Sequence, residues 1–237
     1  VVGKMGAAGS GDGWFLRFDG SNNLEFMIQR SGSTTGEATA SASINAWHHV
    51  VGTNDGTNLK VYVDGVLGST VSSGGATTDS GTVLQMATYG WNVINEYSFI
   101  GIVNEVIVYD KALSLAEVQA LGATDPNGGP LPPNPMALSD SANVVGYWRN
   151  DGNVTWTDRS SNSNDGTVGG SPDALLFKQG INGSASTSTG RDNQGFPLKY
   201  KDVGAIGFVN DSVDFGNVIS FDNTDNFTVE AWFQADE

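Results

Sequence analysis

Short runs in which apolar and polar residues alternate, separated by turn-forming residues, restrict this chain more than any other feature of its sequence. Trp14, Leu16 and Phe18 share one parity, with Phe15 and Arg17 on the other; Leu24, Phe26 and Ile28 then alternate with Glu25, Met27 and Gln29. A period of two places successive side chains on opposite faces of a strand and produces no helical stripe. Between these runs lies Asp19-Gly20-Ser21-Asn22-Asn23, made of residue types that tolerate the positive φ of tight hairpins. The pattern recurs. Trp47–Thr53 leads through Asn54-Asp55-Gly56-Thr57-Asn58 into Leu59–Val63, and Asp64-Gly65 turns the chain into Val66–Val71. Phe99–Tyr109, Val144–Arg149, Ala205–Val209, Ser212–Phe215 and Phe227–Phe233 read as further strands.

Composition agrees. The 32 glycines and a charged fraction of only 16% in 237 residues suit strands joined by many turns. The net charge of −15, with 11 Lys plus Arg, argues against nucleic-acid binding and against adsorption to anionic membranes. It also keeps an exposed protein soluble. With no cysteine there is no disulfide and no thiol chemistry. No apolar stretch approaches the ~18 residues of a membrane helix. One short helix is expected, with Ser114 and Glu117 as a capping box and Gly122 as its stop.

Five of the seven prolines fall between Asp125 and Pro135, which predicts an extended linker over residues 125–137. Around it the chain resembles the laminin-G-like, concanavalin A-like jelly-roll family. Trp47-His48-His49-Val50-Val51, Val61-Tyr62-Val63-Asp64-Gly65, and Gly101–Tyr109 running into Ala112-Leu113-Ser114 resemble the second half of that domain. Val145-Gly146-Tyr147-Trp148, Asp158–Thr167 and Phe227–Trp232 resemble its first half. Two positions depart from the family pattern: Asn104 stands for its usual Asp, and Ser161 for its Gly.

The resemblance implies an all-β antiparallel jelly-roll sandwich written in permuted order. Residues 1–124 would supply the second half and residues 138–237 the first, together forming one domain equivalent, within the chain or with neighbours. Such a chain is expected to be either a window of something longer or a permuted unit. A finer resemblance, carried by Leu131-Pro132-Pro133-Asn134-Pro135-Met136, Tyr147-Trp148-Arg149 and Gly190–Leu198, is to virion structural proteins of tailed phages. It implies a non-catalytic structural or adhesion role in an extracellular or virion-surface assembly. The partners would be other copies or repeats, virion or cell-surface proteins, or surface glycans.

Chemistry is thinly signalled. Glycosidases on this scaffold space two carboxylates Glu-x-Asp on one strand face, and no two acidic residues here are separated by a single position. The only histidines, His48 and His49, are strand neighbours and so point to opposite faces; one is expected packed or hydrogen-bonded inside, the other exposed. No enzyme is expected. Asp158, Asn162, Asn164 and Asp165 cluster in one loop and offer only hard oxygens, which suits Ca²⁺; the same residues also serve turn geometry through Asx-turns. For carbohydrate binding, Trp14, Trp47, Trp148 and Trp232 lie in alternating strand patterns and read as core. Tyr89, Trp91 and Trp156, in expected loops, are the candidates for stacking on sugars. The competing reading is thus a calcium-dependent carbohydrate-binding module.

Overall fold

The computed structural model describes residues 2–5, 11–19, 21–30, 33–74, 81–87, 99–122, 141–149, 155–169, 177–178, 205–208, 212–221 and 225–235. The expected linker over 125–137, and Tyr89 and Trp91, lie outside them. The described strands are β1 (Val2–Met5), β2 (Gly13–Phe18), β3 (Asn23–Arg30), β4 (Ser33–Ser41), β5 (Trp47–Asn54), β6 (Asn58–Val63), β7 (Val66–Ser72), β8 (Leu84–Met86) and β9 (Gly101–Tyr109). The helix α1 (Leu115–Leu121) follows, then β10 (Val144–Arg149), β11 (Thr155–Trp156), β12 (Gly166–Gly169), β13 (Phe177–Lys178), β14 (Ala205–Phe208), β15 (Ser212–Asp214) and β16 (Phe227–Ala235).

These strands form two antiparallel sheets, the arrangement of a concanavalin A-like β-sandwich. One runs β11-β12-β15-β8-β1-β2-β3-β4; the other runs β13-β14-β9-β16-β5-β6-β7, with β10 also paired to β9. Strand β16 lies between β5 and β9, so Val229 sits opposite Gly52 on one side and Val108 on the other. The main core lies between the sheets. Trp14, Leu16, Phe26, Val50 and Val61 from the early strands pack with Trp148, Trp156, Val213, Phe227 and Phe233 from the late ones. Aromatic pairs hold the two sets together: Trp14 and Phe227 centroids are 5.5 Å apart, Phe99 and Phe233 5.5 Å edge to face.

A second apolar cluster covers the outer face of the β9–β16–β5 sheet. It contains Val51, Tyr62, Ile107, Tyr109 and Tyr147, roofed by Val118 and Leu121 of α1. The helix starts where the sequence predicts: Ser114 accepts from Glu117 N–H while Glu117 reaches back to the Ser114 N–H at 2.7 Å.

Six strands carry no readable alternation: β1, β4, β8 and the short β11, β12 and β13. In Ser33–Ser41 the inward positions are filled by small residues because β7 passes close by. A Cβ on Gly36 would stand 2.5 Å from the Ser72 carbonyl oxygen, and one on Gly68 2.4 Å from Ala40 Cβ. Close approach of two sheet edges removed the large apolar residues that alternation is read from. Trp156 is a correction too. It belongs to β11 and is fully buried in the core, because the chain enters a sheet edge where a loop is expected.

Candidate functional site

The expected calcium loop is organised around one carboxylate. Asp158, 7% exposed, accepts the N–H of Tyr147 at 3.0 Å and of Ser160 at 2.8 Å on Oδ1, and of Asn164 at 2.9 Å on Oδ2. Asp165 Oδ1 accepts the Asp158 N–H at 2.8 Å. Asn162 donates through Nδ2 to the Val145 carbonyl at 2.9 Å, and the Asn164 carbonyl takes the Trp148 indole N–H at 2.7 Å. Backbone N–H groups converge on Asp158, and such donors repel a cation. In this arrangement the Asp158 and Asp165 oxygens accept backbone N–H groups, as loop geometry requires. Among the described residues no three His, Asp or Glu side chains converge as metal ligands.

The outer face of the sheet holds a buried polar network that no local motif announces. His49 Nε2 lies 2.9 Å from Glu230 Oε1, and Tyr109 OH donates to Glu230 Oε2 at 3.1 Å. Tyr147 OH donates to Glu105 Oε1 at 3.2 Å. Glu105 and Glu230 are 0% exposed and His49 1%. Burial, then the charge and hydrogen bond of Glu230, push the Tyr109 phenol far above its ordinary range, so it stays a donor. Two carboxylates on neighbouring strands do therefore share a face. Both are fully buried and hydrogen-bonded to Tyr109 and Tyr147 of the second apolar cluster.

The described surface has an open cleft of about 560 Å³ lined by Asp110, Val145, Ile219, Ser220, Asp225 and Asn226. Its floor is Phe221, stacked on Phe227 at 4.5 Å. One wall is strained: Ile219, a β-branched residue, has φ 53°. The buried Lys4 ammonium holds it there, donating to the carbonyls of Val218 at 3.0 Å and Ile219 at 3.3 Å. The cleft thus combines hydroxyl, amide and carboxylate groups with a backbone held at positive φ.

A last cluster sits at the rim of β5. His48 Nδ1 lies 2.8 Å from Asp64 Oδ2, and His48 Nε2 lies 2.8 Å from Ser43 Oγ and 3.1 Å from the Ser43 carbonyl oxygen. Asp64 Oδ1 also accepts the His49 N–H at 2.9 Å. Burial raises the Asp64 carboxyl, but the hydrogen bonds from His48 and His49 and the His48 charge hold it below its usual range. The two histidines do face opposite ways. The expectation of one exposed ring is corrected, because His48 and His49 are 9% and 1% exposed and each is matched by a carboxylate. Counting along the β5–β6 hairpin would have shown half of this: Val50 pairs with Val63, which brings Asp64 beside His49.

Of the expected sugar-stacking residues, Trp156 has no exposed face, while Tyr89 and Trp91 fall outside the described residues. Residues 2–119 match the model of a laminin-G-like family described as the concanavalin A-like lectin/glucanases superfamily. The matched segment contains β1 to β9 and most of α1. No curated protein matches the chain.

Proposed function

We propose that this laminin-G-like, concanavalin A-like sandwich works as a binding and structural domain in an extracellular or virion-surface assembly, not as a glycosidase. The observation that carries this reading is the contrast between sealed acids and an open cleft. Glu105 and Glu230, the carboxylates that share a face, are fully buried, whereas Asp110 and Asp225 line a cleft open to solvent. A network sealed from water-borne substrate contributes to the fold. An open cleft with preset backbone contributes contact. The partners in this reading are neighbouring copies or repeats, other virion or cell-surface proteins, or surface glycans.

The interleaving of β16 between β5 and β9 supports a sandwich closed by residues 1–124 and 138–237 of the same chain. Residues 138–237 expressed alone are then expected to show no cooperative unfolding, since half a sandwich leaves an apolar sheet face bare. An independent cooperative transition overturns that closure.

The carbohydrate-binding module is the second reading, favoured by the hydroxyl, amide and carboxylate groups of the same cleft. A glycan array probed with the whole chain, in calcium and in EGTA, separates the two. Binding abolished by Asp225→Ala establishes the module, and loss of that binding in EGTA adds calcium to it. Silence in both buffers leaves the assembly role, which light scattering then tests as self-association at tens of micromolar.

A further inference from the structure

We propose that Ser43, His48 and Asp64 form a nucleophilic serine site that accepts the acyl group of small activated esters. This goes beyond the binding role above and uses different residues.

The argument rests on roles and geometry. A serine nucleophile needs a base within hydrogen-bond reach, and that base needs an acceptor to fix its tautomer. Both distances here are 2.8 Å, from Ser43 Oγ to His48 Nε2 and from His48 Nδ1 to Asp64 Oδ2. With Nδ1–H donated to Asp64, the lone pair of Nε2 faces the Ser43 hydroxyl. Each member is set by the fold. His48 stands on β5, an interior strand paired on one side with β16 and on the other with β6, and packs at 9% exposure. Asp64 occupies the first position of the Asp64-Gly65 turn at φ 51°, and its second oxygen is held by the His49 N–H. Ser43 is exposed, in the turn that leads into β5. Asn45, at φ 59° in that turn, is tied by its N–H to the Ala235 carbonyl at 2.7 Å, which anchors the turn to β16.

The step balances. Ser43 Oγ attacks the ester carbonyl carbon as His48 Nε2 takes the hydroxyl proton. The Ser43 carbonyl oxygen, 3.1 Å from Nε2, accepts the new N–H and steadies the imidazolium. Collapse breaks the bond to the alkoxy oxygen, and His48 returns the proton to the departing alcohol. Water, deprotonated by His48, then attacks the acyl-serine and releases the acid, so ester and water give acid and alcohol. Asp64 is a positioning residue. Its side chain is 50% exposed, so solvent screens its field and the turnover expected is slow.

The alternative is that His48 stands protonated, donates both N–H groups, and merely braces the turn. Labelling distinguishes them. The whole chain is treated with a fluorophosphonate probe and, separately, with p-nitrophenyl acetate, and intact mass and peptide mapping locate the adduct. The expected result is one adduct per chain on Ser43 and a burst of one equivalent of nitrophenol. Ser43→Ala should remove the label. Asp64→Asn, which keeps the turn geometry, should slow labelling by at least about tenfold while leaving the protein folded, with a cooperative transition only modestly below that of wild type. His48→Gln should abolish labelling, and thermal unfolding checks that it is folded; if it is not, Asp64→Asn decides. No adduct, adducts spread over several serines, or a Ser43 labelling rate unchanged in Asp64→Asn each overturn the proposal.

Discussion

His48 and His49 are adjacent in the chain and each meets a carboxylate, yet they sit in opposite physical situations. His49 faces the outer cluster, pairs with Glu230 at 2.9 Å and is sealed under α1. His48 faces the rim, pairs with the half-exposed Asp64 and meets an exposed serine hydroxyl. One residue along a strand changes the face, and the face decides whether an imidazole serves the fold or can serve chemistry. Removing a partner should therefore unfold the protein on one side and leave it folded on the other.

The largest effect is expected at the sealed site. Glu230→Ala strips His49 and Tyr109 of their common acceptor and should lower stability by about 3–5 kcal/mol in urea unfolding. A loss under about 1 kcal/mol would show that the outer face is wet and would dissolve the contrast. Asp158 comes next as a carboxylate wholly engaged by backbone N–H groups. Asp158→Ala should cost about 1–3 kcal/mol, by the same amount in calcium and in EGTA. A calcium-dependent difference would support the metal reading of Asp158, Asn162, Asn164 and Asp165.

At the rim the effects are smaller and depend on pH. The Asp64 carboxyl titrates below its ordinary range in the folded protein, so its contribution is present above about pH 4 and is lost as pH falls through the folded value. Asp64→Asn should therefore be modestly less stable than wild type at neutral pH, and the two curves should converge in acid. A gap that persists below pH 3 would assign the effect to packing. Smallest of all, Ser43→Ala should leave the melting midpoint in place, because an exposed hydroxyl contributes little to the fold. A large shift would make Ser43 a brace of its turn.

Trp156 and Trp148 show how far the sequence could be read. Trp148 lies in an alternating run and was legible as core. Trp156 has only Thr155 beside it in strand, too short for a period of two to register. The strand β4 escaped for another reason: its inward residues had to be small where β7 crosses it. The site residues divide in the same way. The Asp158 loop was visible as a local cluster of oxygens, though what those oxygens accept was not. Asp110 and Ile219 gave no signal, since each acquires its role from residues far along the chain, in the cleft or in a turn held by Lys4; Ser43 lies only five residues before His48 but belongs to no alternating run or recognisable motif.

What the sequence by itself determined is what local periodicity and turn chemistry can encode: an all-β sandwich, its hairpins, one capped helix and a family likeness. These depend on neighbours within about ten residues, whose spacing alone selects strand, turn or helix. Only the tertiary structure decided which acid meets His49. Glu230 reaches His49 across 181 positions because β16 inserts beside β5, and the register of that insertion, with the cover of α1, decides which pair is sealed and which opens to solvent.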